Sequence, residues 1–218
     1  MIPRTEGCVN SPMNVIGEER ARLYGFLAEV FCSAPTPQTM PIVSQMAAAM
    51  GIACAEGLPL DELRQEFTDL FLVPNPRYVA PYESVYRDRW LLAPASGTGP
   101  EDSAAPMVME RLLMGESTMA VRQCFLEAGV WPAEDLPDHV GNELRLLSHL
   151  WRSEAEQTCG GDRSLDELRA TMRGDHLLRW IGDLRAKVRE NERLGFYSAA
   201  LQLVEAALED DDGPEAPP

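Results

Sequence analysis

Trp131-Pro-Ala-Glu-Asp-Leu-Pro-Asp-His-Val-Gly-Asn-Glu-Leu-Arg-Leu-Leu-Ser-His-Leu150 is the stretch from which the rest of the chain is read. It is an acidic, proline-interrupted loop that runs directly into a helix. Pro137 suits the first helical position, because its missing N–H has no partner there and its φ is already helical. The N-cap then falls at Asp135 or Leu136, and Asp135 carries the oxygen a cap needs. Asp138 sits in the first turn, where negative charge suits the helix dipole. His139 and Glu143 share one face. Val140, Leu144, Leu147 and Trp151 form the apolar stripe beside them. The spacing presents Asp138, His139 and Glu143 together at a helix start.

Outward from this stretch, the chain reads as amphipathic helix on both sides. The helix just described runs over 137–157, and Cys159-Gly-Gly-Asp162 makes a loop. Ser164-Leu-Asp-Glu167 is a capping box that opens the next helix. That helix passes a possible kink at Gly174 and resumes through Leu177, Trp180, Ile181, Leu184 and Val188. A last helix over 194–208 carries Phe196, Tyr197, Leu201, Val204 and Leu208. Upstream, the spacing predicts a helix over 117–128 with Met119, Val121, Cys124 and Phe125 inward, and another over 106–114. Leu60, Leu63, Phe67, Leu70 and Phe71 mark a third, ended by Pro74-Asn-Pro76. Helices over 39–50 (Ile42, Val43, Met46, Met50) and 18–32 (Leu23, Phe26, Leu27, Val30, Phe31) complete the set. No alternating strand pattern with hairpin signals is present. The fold expected is all-α, a single helical-bundle domain of about eight helices. A loose lead over 1–17 precedes it, and an acidic, disordered tail over 209–218 follows.

Two stretches lack helical periodicity. Ala93 to Asp102 is rich in Pro, Gly, Ser and Thr, and reads as a flexible loop. Arg77-Tyr-Val-Ala-Pro-Tyr-Glu-Ser-Val-Tyr-Arg87 is dense in aromatics and places Tyr82, Glu83, Ser84 and Tyr86 close together. Tyrosines of this kind, apolar with a polar tip, suit peptide grooves and buried turns alike.

Composition narrows the function classes. Net charge is −16, from 35 acids against 19 bases, which argues against nucleic acid as the main partner. An acidic body favours cationic ligands or basic peptides. No run approaches about 18 uncharged apolar residues, and the N-terminus lacks a basic-then-apolar signal. The five scattered cysteines have no C-x-x-C pairing, which argues for reduced thiols in the cytoplasm. Phosphate loops, dinucleotide turns and serine elbows are absent. His139 and Glu143 offer two metal ligands without a third, and the Glu-x-x-His pair of di-iron bundles is missing. No nucleophile accompanies Asp138 and His139, so no catalytic set is complete and no enzyme is expected. A helical enzyme using Asp138 and His139, or a nucleotide-binding regulator, are the alternatives.

Taken together, several pieces resemble the TorD/DmsD family of redox-enzyme maturation chaperones, over roughly 18–208. These are Tyr24-Gly-Phe-Leu-Ala-Glu-Val-Phe31, Phe67-Thr-Asp-Leu-Phe71, Pro81-Tyr-Glu-Ser-Val-Tyr86, the run from Gly115 to Gly129, Asp135-Leu-Pro-Asp-His139 with Glu143-Leu144, and Phe196-Tyr197. Their order and spacing carry the likeness; Phe125 departs from it, where the family often has Tyr. The resemblance implies an all-helical cytoplasmic chaperone with no cofactor of its own. Such a protein binds the twin-arginine leader of a molybdenum or tungsten oxidoreductase subunit and delays its export until the cofactor is inserted. It also implies a peptide-binding role for Tyr82, Glu83, Ser84, Tyr86, Pro137, Asp138, His139 and Glu143. Two subdomains, 18–129 and 137–208, would be joined by a hinge near 130–138, giving a monomer or a segment-swapped homodimer.

Overall fold

The computed structural model describes residues 12–55, 57–92, 107–110, 113–132, 136–156 and 164–211. Its helices are α1 (Pro12–Cys32), α2 (Thr39–Ala49), α3 (Leu60–Phe67), α4 (Glu83–Arg87), α5 (Glu116–Glu127), α6 (Val140–Glu156), α7 (Leu165–Ala170), α8 (Leu178–Asn191) and α9 (Phe196–Asp210). Two π-helical turns extend this set: Thr68–Leu72 continues α3, and Thr171–Leu177 joins α7 to α8. The architecture is all-α, with one apolar core drawn from both halves of the chain.

The most extensive helix pairing is α1 against α6. Two glycines allow it. A Cβ on Gly25 would lie 3.1 Å from Ser148 Oγ, and one on Gly141 would lie 2.2 Å from Cys32 Sγ. Ser148 Oγ, buried in the contact, donates to the Ala21 carbonyl at 2.6 Å. The predicted stripe of α6 faces the core: Val140, Leu144 and Leu147 are all within 1% of full burial, and Trp151, the fourth member, is partly buried against it. Beside this pair, α9 lies deep in the core. Its Tyr197 ring is ringed by Phe31, Phe67, Phe71 and Phe196, with centroids 5.1–6.4 Å away. Edge-on and tilted contacts of this kind add to the area each ring buries.

Several local expectations change. Residues Pro12–Gly17, expected in a loose lead, form the first turns of α1, with Pro12 at the first helical position. The helix expected over 106–114 does not form. Met107–Glu110 is a strand, β2, paired antiparallel with β1 (Arg89–Leu92) in the register Arg89↔Glu110 to Leu92↔Met107. A distant partner outweighs the weak local preference of a short Met/Val run, and Met114 at φ 67° is in a left-handed conformation no helix tolerates. Met119, expected inward on α5, is 56% exposed. The loops expected at 93–102 and 159–162 lie outside the described residues. Glu209 to Asp211, expected in the disordered tail, are structured: Asp210 ends α9 and pairs with Arg20 at 2.5 Å, while Asp211 meets Arg20 at 3.1 Å and accepts from the Tyr24 hydroxyl; residues 212–218 lie outside the described residues.

Candidate functional site: a buried joint between two motif segments

The segments around Tyr82 and His139, remote in sequence, meet through the backbone. The N–H of Glu83 donates to the Asp138 carbonyl at 2.9 Å, and the N–H of Val140 donates to the Pro81 carbonyl at 2.9 Å. This reciprocal pair makes an antiparallel bridge between Tyr82 and His139. Their rings meet edge-on, with centroids 5.3 Å apart. All eight residues expected at the site belong to this one joint or its immediate flank.

Each segment also starts a helix, and each start is capped. Tyr82, the N-cap of α4, supplies no capping side chain. Asp138 supplies it from the other segment: its Oδ2 accepts the buried Ser84 N–H at 3.1 Å. The Asp138 charge therefore serves the dipole of α4, not the helix that follows it in sequence. At α6 the expected start is displaced. Pro137 and Asp138 form a turn, and His139 is the N-cap, its carbonyl accepting from Asn142 at 2.8 Å and Glu143 at 3.0 Å. The imidazole completes the cap, Nδ1 accepting the Gly141 N–H at 3.1 Å. With Nδ1 an acceptor, a neutral ring carries its proton on Nε2. Of the two expected caps, Asp135 lies outside the described residues, and Leu136 contributes its carbonyl to His139 N–H at 3.1 Å and Asn142 Nδ2 at 2.9 Å. The helix starts late because the backbone of 138–140 is already engaged with Pro81 and Glu83.

Inside the joint, Glu83, Asp138 and Glu143 are each at 0% exposure. Glu83 is held from both sides, by Arg87 on Oε1 and by His176 Nδ1 on Oε2 at 2.8 Å. Arg87 also donates to the Asp175 carbonyl at 2.6 Å. Glu143 has a neutral donor instead, Trp180 Nε1, 3.3 Å from its Oε2. Burial pushes the Glu143 carboxyl well above the usual carboxylate range. The Glu83 charge pushes the same way, the Trp180 bond pulls against it, and Asp138 adds a further upward push. Three buried oxygens here, Ser84 Oγ, Asp138 Oδ1 and Glu143 Oε1, have no hydrogen-bond partner.

His176, Trp180 and Arg87 were not singled out by the sequence. His176 reaches Glu83 from the π turn Thr171–Leu177, and the one sequence signal for it was the possible kink at Gly174. Such turns re-aim side chains out of helical register and recur at functional sites.

The outward side of the joint is aromatic. Tyr82 and Tyr86 are partly exposed, whereas Glu83, Ser84, Pro137, Asp138, His139 and Glu143 are buried. Tyr86 donates from its hydroxyl to the Ala80 carbonyl at 3.0 Å and lays its ring against Trp180 at 5.4 Å. Beside it opens a groove of about 810 Å³, with Tyr78, Val85, Tyr86 and Leu113 as apolar lining and Asp183 and Glu190 as acidic lining. Lys187, also in the groove, pairs with Glu190 at 2.6 Å. Among the described residues, no group of three or more His, Cys, Asp or Glu is arranged to hold a metal ion. No helix among them is long and apolar enough to cross a membrane.

Comparison with known proteins places this arrangement in a family. The model of the nitrate reductase delta subunit family matches residues 39–186. The chain is similar to chaperone protein TorD of Vibrio cholerae serotype O1, 28% identical over 152 residues that cover 69% of this chain and 60% of the relative. It is 31% identical to TorD of Salmonella paratyphi B over 154 residues, covering 71% of this chain and 60% of the relative. The chain thus spans about 60% of the length of these curated relatives. A solved structure of an Archaeoglobus fulgidus protein assigned to redox enzyme maturation aligns over 94% of this chain and 98% of its own, with a TM-score of 0.46 and 18% identity. The matched span runs from the start of α2 into α8 and takes in the whole joint, and the chain belongs to the nitrate reductase delta subunit family.

Proposed function

We propose that this chain is a cytoplasmic chaperone for a molybdenum or tungsten oxidoreductase, binding the twin-arginine leader of the catalytic subunit and delaying its export while cofactor is inserted. The observation that carries this reading is the joining of the two motif segments into one element with Tyr82 and Tyr86 on its outward side, next to a groove with mixed apolar and acidic lining. A leader offers two guanidinium groups followed by an apolar run. The apolar run suits Tyr78, Val85, Tyr86 and Leu113. The guanidinium groups suit the carboxylates of Asp183 and Glu190, and the −16 net charge speeds encounter with a basic peptide.

The eight motif residues divide in this reading. Tyr82 and Tyr86 touch the peptide. Glu83, Ser84, Pro137, Asp138, His139 and Glu143 hold the segment that presents them, since a fully buried carboxylate meets an arginine only if the joint opens. An enzyme built on Asp138 and His139 has less support: the Asp138 carboxylate is committed to Ser84 and the His139 Nδ1 to Gly141. Calorimetry with a synthetic leader peptide tests the proposal. We expect binding of about micromolar strength, roughly −8 kcal/mol, weakened when both arginines become Gln. Equal binding of the Gln peptide removes charge pairing from the reading.

A further inference from the structure

We propose that Glu143 and Glu83 share one proton across the joint, Glu143 acting as a neutral acid that donates to Glu83 and so ties α6 to α4. This stands on burial and on the allotment of donors, and does not depend on the leader reading. Both side chains are at 0% exposure. The Arg87 guanidinium and the His176 imidazole both go to Glu83, one on each carboxylate oxygen. Glu143 receives only the neutral indole N–H of Trp180. Its Oε1 has no hydrogen-bond donor, yet the Glu83 carboxyl lies within hydrogen-bonding reach. Two carboxylates cannot bond to each other; a carboxylic acid and a carboxylate can. One proton between them removes an orphan oxygen, a buried unpaired charge and a like-charge contact together.

The charged and titratable groups around Glu143 come from every side of the joint. Glu83 faces it from α4, with Arg87 behind; Asp138 faces it from the preceding turn, and His176 approaches through Glu83. His139 turns its Nδ1 onto the Gly141 N–H, and α1 brings Cys32 against Gly141. None supplies Glu143 with a cation of its own. The consequence is a pH-dependent tie. Glu143 holds its proton above the range in which it would ionise in the unfolded chain. The native state therefore binds more protons across that interval, and the contribution to stability is full below the ordinary carboxylate range and lost as pH rises toward the raised value. The segment bearing Tyr82 and Tyr86 is held tightly in mild acid and loosened in base.

The test is an NMR titration of the full chain with ¹³C-labelled glutamate carboxyls, from about pH 6 to about pH 9, where ordinary Glu is already ionised. In wild type we expect a Glu carboxyl that still titrates inside this window. Burial also raises Glu192, so two variants make the assignment. The signal should vanish in Glu143→Gln, an isostere of the neutral acid that keeps a donor toward Glu83, and should persist in Glu192→Gln. Urea unfolding of Glu143→Gln should show a flatter fall of stability with rising pH than wild type. If every wild-type Glu is ionised by the start of the window, Glu143 is an ordinary buried carboxylate, bridged by water, and the proposal fails; this result needs no variant to fold. Loss of the signal in Glu192→Gln overturns it equally.

Discussion

Two helix starts in this protein use the same chemistry under opposite conditions. At α7, Ser164 Oγ accepts the Glu167 N–H at 3.1 Å and Glu167 returns a bond to the Ser164 N–H at 3.3 Å, both groups exposed. At α4, the cap comes from Asp138 and is fully buried. Water can replace a lost cap at α7. At α4 it cannot, and the cap residue also carries half of the backbone bridge between two segments. The difference shows how burial turns a helix cap from a local trim into a tie between distant parts of a fold.

Substitutions can break that contrast. Glu83→Ala should have the largest effect, because it leaves the buried His176 and the Arg87 guanidinium without their carboxylate; losing one member of a buried ionic set costs about 3–5 kcal/mol. Urea unfolding reads it. Asp138→Ala comes next, at about 1–3 kcal/mol for the unsatisfied Ser84 N–H, with Asp138→Asn recovering part because its amide oxygen still accepts. Ser164→Ala should cost about 1 kcal/mol. If Ser164→Ala proves as costly as Asp138→Ala, burial does not separate the two caps. The smallest effect belongs to the surface. Asp183→Asn should weaken leader binding by about 0.2–1 kcal/mol, the usual worth of an exposed ion pair, and leave the unfolding midpoint in place. A shift in that midpoint with unchanged affinity would move Asp183 from the peptide groove to the fold.

What could be read in advance follows the same division. The Ser164 box, the α6 stripe and the disturbance at Gly174 were legible, because each is written in spacings of three or four residues. Asp138 and Ser84 are separated by 54 positions, and Glu83 and His176 by 93, so no spacing announces their bonds. Asp138 was read as a first-turn charge for its own helix. The charge logic was sound, but the helix it serves is α4. Spacing and aromatic density drew attention to the motif residues, and family likeness gave them a peptide-binding role, but neither said that most would be buried. Met107–Glu110 was misread because its strand identity resides in Arg89–Leu92, across a connection outside the described residues.

Amide hydrogen exchange at Ser84 and Val140 tests the central claim most directly, since one N–H depends on the Asp138 side chain and the other on the backbone bridge. In wild type both should be protected as core amides are, far beyond the Glu167 amide in its exposed cap. In Asp138→Ala both should lose protection together while Glu167 is unchanged. Wild-type Ser84 and Val140 exchanging as fast as Glu167, or losing protection independently in the variant, would contradict a single buried joint.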